Sequence, residues 1–219
     1  RVASGLESMV LGEPQIAGQV KDAFDRAIEV GTARAMLMNL YRHTLQTVKQ
    51  VRTGTEIAKS AVSVSYVAVE LARKVYENLE EKRALLVGAG EMCELAATHL
   101  RERGVKSVDV VNRTLSKAEE LAGRFDGNPY SLDRLVEALE TADIVLSSTG
   151  ATDPVIRADM IRPLMKHRKS HPLLMVDIAV PRDIEPEVGD LPGVFLFDID
   201  DMQKVIQANL EKRKKEADK

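Results

Sequence analysis

The sequence predicts an α/β fold, a doubly wound parallel sheet preceded by a helical segment and followed by a long helix. Residues 1 to about 80 carry apolar positions at three- and four-residue spacing and no convincing strand. From Lys82 onward, short apolar runs alternate with helical patterns, as in parallel strands joined by crossover helices. One of those runs, Leu85-Leu86-Val87, turns on Gly88-Ala89-Gly90 and passes into a helix, which makes the sheet Rossmann-like.

In chain order, Val2, Leu6, Met9 and Val10 form a short apolar cluster that Gly12-Glu13-Pro14 breaks, with Pro14 suited to the first position of a helix. Ile16, Val20, Ala23, Phe24 and Ala27 mark that helix's buried face, and Gly31 ends it. A second helix is expected over 33–52, with Met36, Leu37, Leu40, Tyr41, Leu45 and Val48 inward and Arg34, Arg42, Lys49 and Arg52 as a basic outer row. A third is expected over 60–79, with Val64, Val67, Ala68, Leu71 and Val75 as its stripe.

Strands are expected at 84–87, 107–111, 144–147, 173–178 and 194–197, with a short one near Pro129-Tyr130. Helices lie between them. Ser116-Lys117-Ala118-Glu119 reads as a capping box, Ser131 as the cap of a helix ending near Glu140, and a further helix covers about 158–166. The last helix carries Met202, Val205, Ile206 and Leu210 on one face before a charged run. The expected domains are a helical segment at 1–80, a nucleotide-binding domain at 81–199 and the start of a connecting helix at 200–219.

A hydrophobic content of 44%, a charged content of 30% and a net charge of −3 describe a globular chain with no global pull toward polyanions, so any such site must be local. A single cysteine excludes an internal disulfide and fits a reducing compartment, expected to be the cytoplasm or, for a mature imported chain, an organelle, and with four scattered histidines it builds no metal cluster. No apolar run is long enough to span a membrane. The sequence opens at Arg1 rather than Met and closes inside a helix, as expected of a fragment.

A strand entering a helix through G-x-G leaves backbone N–H groups and the positive end of the helix dipole facing outward, which suits a pyrophosphate. The third fingerprint position is Cys93, which is small enough to pack against the sheet. The same turn can also be no more than a tight connection. The next strand decides between them: it ends in Asn112-Arg113-Thr114, with no acid for a ribose 2′-OH, while Arg113 and nearby Lys117 suit a 2′-phosphate. NADPH is therefore expected rather than NADH. Ser147-Ser148-Thr149-Gly150-Ala151 and Asp177-Ile178-Ala179-Val180-Pro181-Arg182-Asp183 close later strands at the same ligand edge; the second can equally be a proline-stiffened loop in which Arg182 and Asp183 pair locally. No nucleophile stands out, since Cys93 sits in the turn without a histidine partner and the histidines read as ordinary helix or surface residues.

The run Val2-Ala3-Ser4-Gly5-Leu6-Glu7-Ser8-Met9-Val10-Leu11-Gly12-Glu13-Pro14-Gln15-Ile16 closely resembles the signature of the glutamyl-tRNA reductase family. Lys49-Gln50-Val51-Arg52-Thr53, Ser63-Val64-Ser65, Gly88-Ala89-Gly90-Glu91-Met92, Asn112-Arg113-Thr114, Ser147-Ser148-Thr149-Gly150 and the 177–183 run resemble further family blocks, in family order. The resemblance implies an NADPH-dependent reduction of glutamyl-tRNA to glutamate-1-semialdehyde in tetrapyrrole (porphyrin) biosynthesis, through a cysteine thioester. It implies that Ser8, Glu13, Pro14, Gln15 and Gln19 line the glutamyl site and that Gly88, Ala89, Gly90, Glu91, Met92 and Cys93 cradle the cofactor phosphates. With Asn112, Arg113, Thr114, Lys117, Ser148, Thr149 and Gly150, these complete the expected cofactor site.

The family's nucleophilic cysteine and its histidine precede Arg1, so no catalytic residue is expected here and the chain alone is expected to be inactive. A homodimer is expected in the parent through a missing C-terminal domain, and the basic row is a candidate contact for tRNA phosphates. Two alternatives are a shikimate-dehydrogenase-like NADP oxidoreductase, which would need a substrate domain of alternating strands and helices before the turn, and a non-catalytic NADP-binding or interaction module.

Overall fold

The computed structural model describes residues 1–7, 14–55, 63–168, 171–202 and 204. The chain forms two compact units, Arg1–Ser63 and Val64–Lys219.

In the first unit a 3-10 turn at Val2–Ser4 touches both α1 (Pro14–Glu29) and α2 (Ala35–Gly54). The Phe24 and Tyr41 rings stack with centroids 4.8 Å apart, and the Tyr41 hydroxyl donates to Asp25 at 3.0 Å. Val48 is buried and Tyr41 and Leu45 are half-buried, but Met36 is 85% exposed and Leu37 and Leu40 are exposed too. The expected inward stripe is thus covered only at its C-terminal end. Periodicity identifies which residues share a face, and the described elements of this unit leave part of that face uncovered.

In the second unit Val67, Ala68, Leu71 and Ala72 of α3 (Ser63–Val75) are buried. The earlier start expected at Ser60 and the side chain of Val64 lie outside what is described. Beyond α3 the Tyr76 hydroxyl lies 2.7 Å from the Asp143 carbonyl oxygen and 2.8 Å from that of Pro172, fastening this segment to the amino end of the sheet. Burial pushes the Tyr76 phenol well above its ordinary range.

Six parallel strands follow, β1 (Arg83–Val87), β2 (Ser107–Asn112), β3 (Pro129–Ser131), β4 (Ile144–Ser147), β5 (Leu173–Asp177) and β6 (Val194–Asp198), in the order β3-β2-β1-β4-β5-β6. Between them run α4 (Glu91–Glu102), α5 (Leu115–Gly123), α6 (Leu135–Thr141) and α7 (Ala158–Arg168). Strands buried on both faces must read as continuous apolar runs, and Leu173-Leu174-Met175-Val176 is fully buried along its length. On one face Leu85, Val87, Val145, Leu173 and Met175 pack with Leu135, Ala138 and Leu139 of α6 and Ile161 of α7. Truncating one of these, such as Leu139→Ala, costs about 2–5 kcal/mol in a core of this kind.

Two local expectations differ from the structure. Helix α5 starts at Leu115 with Thr114 as its N-cap, so Ser116 lies inside the first turn rather than capping it; Asn112 orders this corner instead, its Nδ2 donating to the Thr114 carbonyl at 3.0 Å. Ser131 precedes a 3-10 turn, Leu132–Arg134, which then leads into α6. The final helix begins directly after β6 and buries Met202, while Val205, Ile206 and Leu210 lie outside the described residues. No helix among the described residues is long and apolar enough to cross a membrane.

Candidate dinucleotide site

The strand order reverses between β1 and β4, and there the connections leaving the two strands part in opposite directions and open a crevice at their carboxyl ends. Gly88 leaves β1 with φ of 112°, and a Cβ at that position would lie 2.3 Å from the Ser148 carbonyl oxygen. Only glycine lets these two turns approach so closely. Gly90 is different: it is the N-cap of α4 with no side-chain capping bond, and nothing lies within 4 Å of where its Cβ would be. A helix N-terminus therefore faces open space beside a backbone turn, which is the geometry that receives a phosphate.

The crevice holds about 380 Å³ and is lined from β1 by Gly88, Ala89 and Gly90, from the end of β2 by Asn112, Arg113, Thr114 and Lys117, and from the end of β4 by Ser148, Thr149, Gly150 and Ala151. Leu132 and Val155 also border it, and sequence reasoning missed both because they come from other connections. Among the described residues its lining contains two cations and no carboxylate. Arg113 and Lys117 are both exposed at its β2 side. Glu91, Met92 and Cys93 do not line it. Cys93 is fully buried, and burial pushes its thiol up to about 12, so it is protonated at neutral pH and packs against the sheet.

Behind the crevice lies a carboxylate network that the sequence did not reveal. Asp183 is fully buried and accepts from Ser147 Oγ at 2.7 Å, from Thr149 N at 2.7 Å and from Thr149 Oγ1 at 2.5 Å. Its carbonyl oxygen accepts from Val155 N and Ile156 N. Asp177, at the end of β5, accepts from Ala179 N at 3.0 Å and Ile184 N at 2.8 Å; burial, the largest influence, raises its carboxyl to about 6. Arg182 turns outward and pairs with Asp198 and, at 3.7 Å, with Asp200, so the local Arg182–Asp183 pairing considered from sequence does not form. A proline and an arginine beside the aspartate disguised a buried residue as a loop ion pair.

Of the residues expected at a glutamyl site, Gln19 is exposed on α1, whereas Ser8, Glu13 and the side chains of Pro14 and Gln15 lie outside what is described. Arg34, Arg42, Lys49 and Arg52 are all exposed. Among the described residues no cluster of histidine, cysteine, aspartate or glutamate could hold a metal.

Comparison with known proteins separates the two units. Residues 1–55 match the model described as "Glutamyl-tRNAGlu reductase, N-terminal domain", and residues 70–205 match "Shikimate / quinate 5-dehydrogenase". The chain is 51% identical over 219 residues to a glutamyl-tRNA reductase of Geobacter metallireducens and 49% identical over 219 residues to one of Nitratidesulfovibrio vulgaris, in each case over 100% of this chain and 50% of the relative. It thus spans about half the length of the curated relatives it matches. The structure of glutamyl-tRNA reductase from Methanopyrus kandleri, 43% identical, superposes with a TM-score of 0.66 over 99% of this chain and 55% of that one. The nucleotide-binding domain of the Thermoplasma volcanium reductase shares the fold, with a TM-score of 0.54 at 17% identity over 69% of this chain and 96% of that one. The shikimate dehydrogenase alternative is not favoured, because its likeness stops at the sheet unit while the reductases match throughout. With a match to the shikimate / quinate 5-dehydrogenase model over 70–205 and reductase relatives along its whole length, the chain belongs to the glutamyl-tRNA reductase family.

Proposed function

We propose that this chain is the NADPH-holding part of an enzyme that reduces glutamyl-tRNA to glutamate-1-semialdehyde, entering tetrapyrrole synthesis in the cytoplasm. The observation that carries the cofactor choice is the β2 side of the crevice, where Arg113 and Lys117 stand and, among the described residues, no carboxylate lines the wall. A carboxylate there would bond a free ribose 2′-OH, whereas two cations favour a 2′-phosphate. Gly88, Ala89 and Gly90 receive the pyrophosphate, and Ser148, Thr149 and Gly150 border the nicotinamide half. When bound, the dinucleotide supplies a hydride. The chain's own residues bind and orient it, and its single cysteine is too buried to form a thioester.

The acyl substrate belongs to the first unit in this reading, with Ser8, Glu13, Pro14, Gln15 and Gln19 around the glutamyl group and the exposed basic row of α2 available to tRNA phosphates. The nucleophile and a homodimer contact are assigned to the rest of the parent protein, so the 219-residue chain binds NADPH without reducing glutamyl-tRNA. The test is Arg113→Glu. NADPH affinity is expected to fall about tenfold to a hundredfold, as for loss of a charged hydrogen bond, with NADH affinity little changed. Equal losses for both dinucleotides would refute the 2′-phosphate contact.

A further inference from the structure

We propose that Asp183 is a positioning residue for the nicotinamide half of the cofactor, acting through Thr149. The proposal rests on reading the crevice as the NADPH site. A dinucleotide laid across the switch point has its adenosine half over β2, beside Arg113, and its other half over β4, where the wall is the 148–151 turn. That turn contributes backbone and small side chains, so its shape is set by whatever holds it from behind.

Asp183 holds it at both ends. Its carboxylate takes three donors from the start of the segment, namely Ser147 Oγ, Thr149 N and Thr149 Oγ1, and its main-chain oxygen takes Val155 N and Ile156 N at the far end. Thr149 Oγ1 donates inward to Asp183 and accepts from Ala151 N at 3.1 Å, which carries the constraint two residues further along the wall. A carboxylate suits this place because its two oxygens can accept all three donors. Asp183 is fully buried and does not line the crevice, so it acts on the ligand only through the turn.

The experiment uses the purified 219-residue chain with two probes, NADPH and adenosine 2′,5′-bisphosphate, the latter lacking the nicotinamide half. Asp183→Asn and Thr149→Val are expected to weaken NADPH about tenfold, the scale of one or two lost hydrogen bonds, and to leave adenosine 2′,5′-bisphosphate within about twofold. Thr149→Ser, which keeps the hydroxyl, is expected to bind NADPH as the unaltered chain does. Unchanged NADPH affinity in Thr149→Val, or equal losses for both probes, overturns the proposal; the second outcome would mark a general structural effect. Should Asp183→Asn fail to fold, the Thr149 pair decides the matter alone. Failure of the underlying site reading has its own signature, since the unaltered chain would then bind neither probe.

Discussion

The two glycines of the β1–α4 turn have different tasks, and alanine at each separates them. At Gly88 the φ of 112° costs an L-residue about 1–2 kcal/mol, and the new Cβ would sit 2.3 Å from the Ser148 oxygen where 3.4 Å is ordinary contact. The Ser148 peptide must retreat by roughly an ångström, at the expense of Ser148 N donating to Val87 O at 2.9 Å and Gly88 N donating to Val111 O at 2.8 Å. Losing one such buried bond adds about 1–3 kcal/mol, for a total of about 2–5 kcal/mol. At a urea slope of about 1–3 kcal/mol per molar, the unfolding midpoint of Gly88→Ala should fall by on the order of 1–2 M. Gly90→Ala has φ of −89° and open space, so its midpoint should stay close to that of the unaltered chain, while NADPH affinity drops because the methyl enters the space assigned to the pyrophosphate. Urea unfolding read by circular dichroism and NADPH titration by fluorescence measure the two effects. A Gly88→Ala chain that unfolds at the original midpoint, or a Gly90→Ala chain that binds NADPH unchanged, would refute the assignment.

Two other outcomes follow from buried polar groups away from the crevice wall. Tyr76→Phe should cost only about 1 kcal/mol in thermal or urea unfolding, because the Asp143 carbonyl keeps Leu174 N and the Pro172 carbonyl keeps Arg168 Nη2 as donors. For Asp177, the folded carboxyl near 6 lies above the ordinary 3.8, so the folded state binds more protons between these values and stability falls as pH rises through about 4 to 6. Asp177→Asn should flatten that segment of the melting-temperature profile, and an identical slope in both proteins would exclude the aspartate as its source.

The strands were legible because a doubly covered parallel sheet leaves little choice of residue. Ile144–Ser147 and its neighbours are short apolar runs bounded by turns, and tertiary packing agrees with local preference there. Gly88 and the Asn112-Arg113-Thr114 corner were legible for a similar reason, since sharp turns at strand ends restrict residue type. What escaped was any feature defined by a distant partner. Asp183 takes its meaning from Ser147 and Thr149, some thirty-five residues earlier, and Tyr76 from Asp143 and Pro172. The Thr114 cap escaped because Ser116 offered a better local pattern, and the exposure of Met36 escaped because a helical stripe says nothing about what covers it.

The double hold of Asp183 on its neighbouring segment also bears on how this fold tolerates change. With Ser147 and Thr149 anchored at one end and Val155 and Ile156 at the other, the exposed stretch Thr152-Asp153-Pro154 is a closed loop on fixed posts. Doubling the length of such a loop costs only about 0.6 kcal/mol of closure entropy. Insertions are thus affordable between the posts and ruinous at them, so length variation should be confined to those three residues while the wall facing the ligand keeps its shape.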